Sequence, residues 1–272
     1  MKIWYQSFAR SNRFTRYASF LKETASVALP PGVEMDVHSV PRDAVHADHQ
    51  FRYYELVDSR DIVSNAVRAQ EQGYSAYLIG NILDPALHIA REVVDIPVLG
   101  LCDTAITTAC LMGRTYGFVT INEQQAHRIE LNVRDNGTQS RFVGWRSLGI
   151  DDYPSIDDNY ESEGMKRFIA RFAEKAEELS RAGAEVVVPG GGVVMGLLAR
   201  AGFNHTGSVP VVDGIRALAG MGALAGAAYE RQGHFTSKRL AYAGPPPEAM
   251  EGIRASFAGD LLEGPIGMRD EA

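Results

Sequence analysis

Asn81 and Gly191 stand at matching points of two similar stretches, and the chemistry open to them is hydrogen bonding to a small anion. The first stretch runs Gly73-Tyr74-Ser75-Ala76-Tyr77-Leu78-Ile79-Gly80-Asn81 and continues into Ile82-Leu83-Asp84-Pro85-Ala86-Leu87. The second is Gly183-Ala184-Glu185-Val186-Val187-Val188-Pro189-Gly190-Gly191-Gly192. Each reads as a buried strand, a tight glycine turn and the start of a helix. In parallel α/β sheets, ligands sit beyond the carboxyl ends of the strands. A helix start adds unpaired N–H groups and the positive end of the helix dipole. Two such turns facing one another would hold a small anion, most simply a carboxylate. The alternative for Gly190-Gly191-Gly192 is a tight turn with no ligand.

Other strand ends supply the remaining candidates. Gln6, Ser7, Gly80, Thr120 and Gly190 to Gly192 are candidate substrate contacts. Thr120 can equally close its strand. Asp103 and Asp213 are candidate acids or bases, and each can instead cap the helix that follows it. Asp84, before Pro85, also reads as a cap. Cys102 lies beside Asp103. A neighbouring carboxylate raises a thiol pKa, and a lone cysteine commonly serves as a small buried hydrophobe. Cys110 reads as core. Tyr53, with Tyr54, can roof a substrate or pack in an interface. His46 and His49 lack a metal-ligand companion, so no metal is expected. No G-x-G-x-x-G pattern or P-loop lysine is present, which argues against a nucleotide cofactor.

Alternating elements must position these residues. Strands are expected at Ile3–Gln6, Val33–His38, Tyr77–Ile79, Ile96–Leu101, Tyr116–Thr120, Phe142–Trp145, Val186–Val188 and Val209–Val212. Helices are expected from Ser11-Asn12 to Ala25 and from Asp58 to Gln72. Further helices start near Asp84, after Asp103-Thr104, after Asn122, at Glu161, at Val193 and after Asp213. Residues 41–54 and 151–158 read as loops. Strand–helix alternation predicts parallel sheets flanked by helices. Ile96-Pro97-Val98-Leu99 is echoed by Val209-Pro210-Val211-Val212, which extends the repeat to two similar halves. The expected lobes are 1–103 with 214–272, and 104–213. Gly220, Gly222 and Gly226 predict close packing of their helix and, with Gly244-Pro245-Pro246-Pro247, a homo-oligomer.

The totals exclude several classes. A net charge of −7 over 272 residues argues against nucleic acid as a main partner. No apolar run reaches the roughly 18 residues of a membrane span. Two cysteines make no disulfide framework, and Met1-Lys2-Ile3-Trp4-Tyr5 reads as a strand rather than a signal peptide. A cytoplasmic location is expected.

Leu78 to Leu87, Ile96-Pro97-Val98-Leu99-Gly100, Gly117-Phe118-Val119-Thr120 and Val209-Pro210-Val211-Val212-Asp213 together resemble the aspartate/glutamate/hydantoin racemase superfamily. Ile3-Trp4-Tyr5-Gln6-Ser7 resembles a hydantoin-racemase-like branch of it. The resemblance implies two Rossmann-like lobes related by a pseudo-two-fold axis, with a cofactor-free site in the cleft between them. It also implies a cysteine after each of the two equivalent strands, one removing a proton and the other returning it. Those positions here are Asn81 and Gly191, neither of which exchanges a proton at neutral pH. A two-base racemase needs groups of workable pKa on both faces of the carbon. The scaffold can still stabilise an enolate or carboxylate electrostatically, with Asn81 as a donor. The acid or base would then come from Asp103, Asp213, Cys102, a residue of the 41–54 loop, or water.

Three functions remain open from the sequence. The first is an isomerase, decarboxylase or hydrolase acting on a small carboxylate or cyclic amide without thiol chemistry. The second is true racemisation by substitute bases. The third is a non-catalytic binding protein.

Overall fold

The computed structural model describes residues 1–8, 15–39, 51–151, 153–160, 162–246 and 248–250. The expected Ser11-Asn12 cap, the 40–50 stretch with His46 and His49, and the tail beyond 250 lie outside them. The element order is β1 (Lys2–Ser7), α1 (Thr15–Ser26), β2 (Glu34–Ser39), α2 (Arg52–Glu71), β3 (Ala76–Ile79), α3 (Leu87–Val93), β4 (Val98–Gly100) and α4 (Leu101–Met112). There follow β5 (Tyr116–Thr120), α5 (Glu123–Asp135), β6 (Phe142–Ser147), α6 (Ser162–Arg181), β7 (Val186–Gly190), α7 (Gly192–Arg200), β8 (His205–Thr206), β9 (Val209–Pro210) and α8 (Gly214–Gln232).

Two parallel sheets carry the repeat. One has the order β2-β1-β3-β4 and the other β6-β5-β7. Strands buried on both faces need near-continuous apolar sequence, and β3 and β7 are buried at every position. One face of the first sheet offers Trp4, Tyr77 and Ile79 to Ile62, Ala66 and Ala69 of α2. The other offers Ile3, Tyr5 and Leu78 to a core that continues through Phe118 and Val186 to Val188 of the second sheet. The two sheets therefore share one apolar core. Helix α8 packs on β3, β4, α1 and α4.

The glycines of α8 work inside the chain. A Cβ on Gly222 would lie 2.6 Å from Leu78 Cδ2, and one on Gly226 would lie 3.1 Å from Met1 Sδ. They bring the helix onto the sheet, so they no longer argue for an interface between copies.

Several boundaries differ from the sequence reading, each for a local reason. Helix α2 begins at Arg52, which makes Tyr53 and Tyr54 helical rather than part of a loop. The polar stretch after Asp151 is a 3-10 helix, Tyr153–Tyr160. Its Asp157 accepts the Arg16 and Tyr17 N–H groups at 3.2 and 3.0 Å, so it caps α1. The Val209–Val212 segment does not join the second sheet as a full strand. β9 pairs antiparallel with β8, and only Val211 bridges β7, at Val187.

The largest local difference is at α3. Asp84 and Ala86 have φ of 48° and 56°, the only non-glycine positive values among the described residues. A helix cannot run through left-handed residues, so α3 starts at Leu87 and not near Asp84.

Candidate functional site

The first turn is built around an absent side chain. Gly80 N–H donates to Gln6 O at 2.9 Å, which continues the ladder from β1. A Cβ on Gly80 would lie 2.4 Å from Tyr5 Cε1 and 2.6 Å from Tyr5 Oη. Only glycine lets the turn sit on that ring. Asn81 Oδ1 accepts the Leu83 N–H at 2.9 Å, and Asp84 N–H donates to Asn81 O at 3.0 Å. This is an Asx turn of the kind short polar side chains favour.

The second turn leads straight into its helix. Gly190 pairs with Thr120 in the ladder, and a Cβ there would lie 2.9 Å from Thr120 Cα. Gly191 is the N-cap residue of α7. The first N–H groups of that helix have no partner within it. A Cβ on Gly192 would lie 2.8 Å from Tyr17 Oη and 3.5 Å from Gly80 O. The two turns therefore meet across the shared core, and a tyrosine hydroxyl lies under each.

Only one helix start faces this junction. The first turn reaches α3 through five further residues. The nearby start of α4 is already occupied, because Asp84 Oδ1 and Oδ2 accept the Cys102 and Asp103 N–H groups at 2.9 and 2.7 Å. Asp84 thus caps the next helix rather than its own, and Asp103 is a first-turn residue of α4 rather than its cap. A Cβ on Gly100 would lie 2.4 to 2.5 Å from the Asp84 carboxyl carbon and both oxygens. Burial raises the Asp84 pKa from 3.8 to about 7, and Asp103 adds to the rise. The two N–H groups and Arg91 pull the other way.

The structure sets Gly192 against Gly80, with Asn81 and Gly191 next to them in the chain, and turns the side chains of Gln6, Thr120 and Asp213 to other partners. Gln6 is fully buried in its own network. Its Oε1 accepts from Asn65 Nδ2 at 2.9 Å and Tyr77 Oη at 3.2 Å, and its Nε2 donates to Ser7 O and His38 O. Ser7 is buried at the end of β1. Thr120 Oγ1 donates to Asn122 O at 3.1 Å, so it closes its strand. Tyr53 is 72% exposed on the first turn of α2. Asp213 caps α8 through Arg216 N–H at 3.1 Å and pairs with the Arg216 guanidinium at 2.9 Å.

Asp103 pairs with Arg91 at 2.7 Å and accepts from Asn136 Nδ2 at 2.6 Å. It lines a cavity of about 350 Å³ with Leu83, Asp84, His88, Asn132 and Tyr242, and neither Gly80, Asn81 nor Gly190 to Gly192 is part of that lining. Cys102 is fully buried, and burial followed by the Asp84 charge pushes its thiol well up. It offers no thiolate. Among the described residues no cluster of His, Cys, Asp and Glu could hold a metal, and no helix is long and apolar enough to cross a membrane.

Sequence reasoning missed Tyr5 and Tyr17. Both read as ordinary apolar positions of a strand and a helix. Only the contact of β1 with the first turn and of α1 with the second reveals their hydroxyls, and no local pattern carries either contact.

A segment after α8 braces α3. Lys238 Nζ donates to Arg91 O, Glu92 O and Val94 O at 2.6, 3.0 and 2.6 Å, which satisfies the end of α3. Tyr242 stacks on His88 with ring centroids 5.9 Å apart and hydrogen-bonds His88 Nδ1 at 2.9 Å.

Comparison with known proteins agrees with this architecture. Residues 15–222 match the family model described as Asp/Glu/Hydantoin racemase. The hydantoin racemase of Rhizobium meliloti is 32% identical over 188 residues, which is 68% of this chain and 72% of that protein. The allantoin racemase from Klebsiella pneumoniae superimposes with a TM-score of 0.76 at 20% identity, covering 97% of this chain and 99% of that one. The allantoin racemase from Pseudomonas fluorescens gives 0.70 at 22% identity, covering 91% and 98%. With that span matched and the two parallel sheets in place, the chain belongs to the Asp/Glu/hydantoin racemase family and is a racemase-superfamily enzyme.

Proposed function

We propose that the chain acts on a small carboxylate or a cyclic amide such as a hydantoin, without a cofactor and without two-thiol chemistry. The observation that carries this reading is the meeting of the two glycine turns, with Gly192 set against Gly80 O. The start of α7 supplies backbone N–H groups and a dipole suited to negative charge as it develops. Asn81 and Gly191 occupy the positions that the family resemblance gives to thiols, and neither is a base. The proton then moves through water or a group brought by the substrate, and the protein's contribution is positioning and charge stabilisation. The lobes are taken as 1–103 with 214–272, and 104–213; the packing of α8 on β3 and β4 supports that division.

The test is incubation in deuterated water with hydantoins, allantoin, amino acids and arylmalonates, following exchange at Cα, chirality and carbon dioxide. Turnover by the native chain should fall in Asn81→Asp. This substitution keeps the acceptor for Leu83 N–H but sets a negative charge beside the ligand. No turnover and no binding of any of these compounds would overturn the reading. The 32% identity to a hydantoin racemase favours a second reading, racemisation by substitute bases. Exchange with full loss of chirality would select it. Tight binding without turnover would select a binding protein.

A further inference from the structure

We infer that Tyr5 is the side-chain hydrogen-bond donor to an anionic oxygen bound between the Gly80-Asn81 and Gly191-Gly192 turns. The inference rests on the proposed site and adds a ligand contact to it. Its chemical class of ligand is one presenting a carboxylate or enolate oxygen.

Two independent observations carry it. The first is placement. Tyr5 leaves β1 toward the core shared by the two sheets, and its hydroxyl lies 2.6 Å from where a Gly80 Cβ would be. Gly192, 3.5 Å from Gly80 O by the same measure, closes the other side. The hydroxyl thus sits at the junction of the two turns, one residue from the Asn81 backbone.

The second is the state of the hydroxyl. Tyr5 is fully buried, and its Oη has no hydrogen-bond partner. The Tyr17 hydroxyl is close enough to interact weakly as a hydrogen-bonding group, which partly offsets the rise in the Tyr5 pKa, but no partner of Tyr5 Oη meets full hydrogen-bond geometry. Buried polar groups in folded proteins are nearly always satisfied, and leaving one unmade carries the full desolvation penalty. A phenylalanine would fill the same space without that penalty. Tyr77, on the opposite face of the same sheet, marks the contrast. It is as deeply buried, but its hydroxyl bonds Ile62 O at 3.0 Å and Gln6 Oε1 at 3.2 Å.

Burial drives the Tyr5 pKa far up, so the phenol keeps its proton and acts as a donor, never as a base. A neutral O–H donating to an anion in a dry site makes a charge-assisted bond, stronger than one between neutral groups. The same bond discriminates. A ligand without an acceptor there would leave the hydroxyl buried and unmade, which costs affinity.

The experiment uses the full chain and Tyr5→Phe, which removes the hydroxyl alone. Thermal unfolding is measured without ligand, and affinity is measured calorimetrically for malonate, hydantoin and allantoin. The expected result is a melting temperature equal to or above that of the native chain, since no well-formed internal hydrogen bond is lost. Affinity for whichever probe the native chain binds should fall about ten- to a hundredfold. Loss confined to malonate identifies a carboxylate contact; loss confined to the ureides identifies the carbonyl that becomes the enolate. A clear drop in melting temperature would make the hydroxyl a structural one and overturn the inference. So would unchanged affinity, and in that case the proposed function would stand. If the native chain bound none of the three, the inference would fail; the proposed function would fail with it only if the compounds of its own test were neither bound nor turned over.

Discussion

Replacing Asp84 by Asn should change how stability depends on pH, by an amount the structure sets. The carboxyl is held between two N–H donors of α4 and a core that resists its charge, and its pKa rises from 3.8 to about 7. A raised acid binds its proton more tightly in the folded state than in the unfolded one. Its contribution is therefore complete below about pH 4, declines as pH rises, and is gone above about pH 7. Roughly three pH units at 1.36 kcal/mol each give ~4 kcal/mol as a ceiling. Asn keeps the shape, tolerates the left-handed backbone and never ionises. It also offers one acceptor to two donors, which adds a near-constant cost of about 1–3 kcal/mol. Urea unfolding of both chains from pH 4.5 to 8.5 gives the difference in stability at each pH, and other titrating groups cancel. That difference should move by at least about 2 kcal/mol in favour of Asp84→Asn on going to alkaline pH. A flat difference within about 0.5 kcal/mol would refute the claim that Asp84 titrates near neutrality.

Gly80→Ala should destabilise by about 1–3 kcal/mol through overpacking on Tyr5, and Gly80→Ala with Tyr5→Leu should recover part of that loss in the same unfolding assay. Cys102 should stay unmodified by a thiol reagent in the native chain while the half-buried Cys110 reacts, as peptide mapping would reveal. Lys238→Ala leaves two α3 carbonyls and that of Val94, which follows the helix, without this donor and should cost about 1 kcal/mol, with faster amide exchange in residues 87–94 than in α7.

The two sheets were legible because a parallel sheet needs strands apolar at nearly every position, and Val186-Val187-Val188 and Tyr77-Leu78-Ile79 supply that within a few residues. Caps with a strictly local partner were legible too: Asn122 accepts from Gln125 N–H at 2.9 Å, and Asp213 caps α8 as its sequence position implied. Asp84 was half legible. It is a cap, but the N–H groups it serves are on α4, reached only because Asp84 and Ala86 turn the chain left-handed. No spacing rule foresees that. The same limit governs the site. The glycine turns could be read because glycine marks them, whereas Tyr5 and Tyr17 gain their meaning from three elements far apart in sequence. Gln6 was misjudged for the opposite reason: a polar residue at a strand end looked available, and its carbonyl and amide are spent on Asn65, Tyr77 and His38.

Helix α3 has seven residues, well short of the 12 to 15 an isolated helix needs to persist in water. It keeps its form through outside props, and Lys238 and Tyr242 provide them from beyond the span shared with the family. Loss of those props should loosen α3, and α3 follows directly on the Asx turn at Asn81. A fusion, a truncation or a docking protein acting at 234–246 should accordingly be felt at the proposed site through α3.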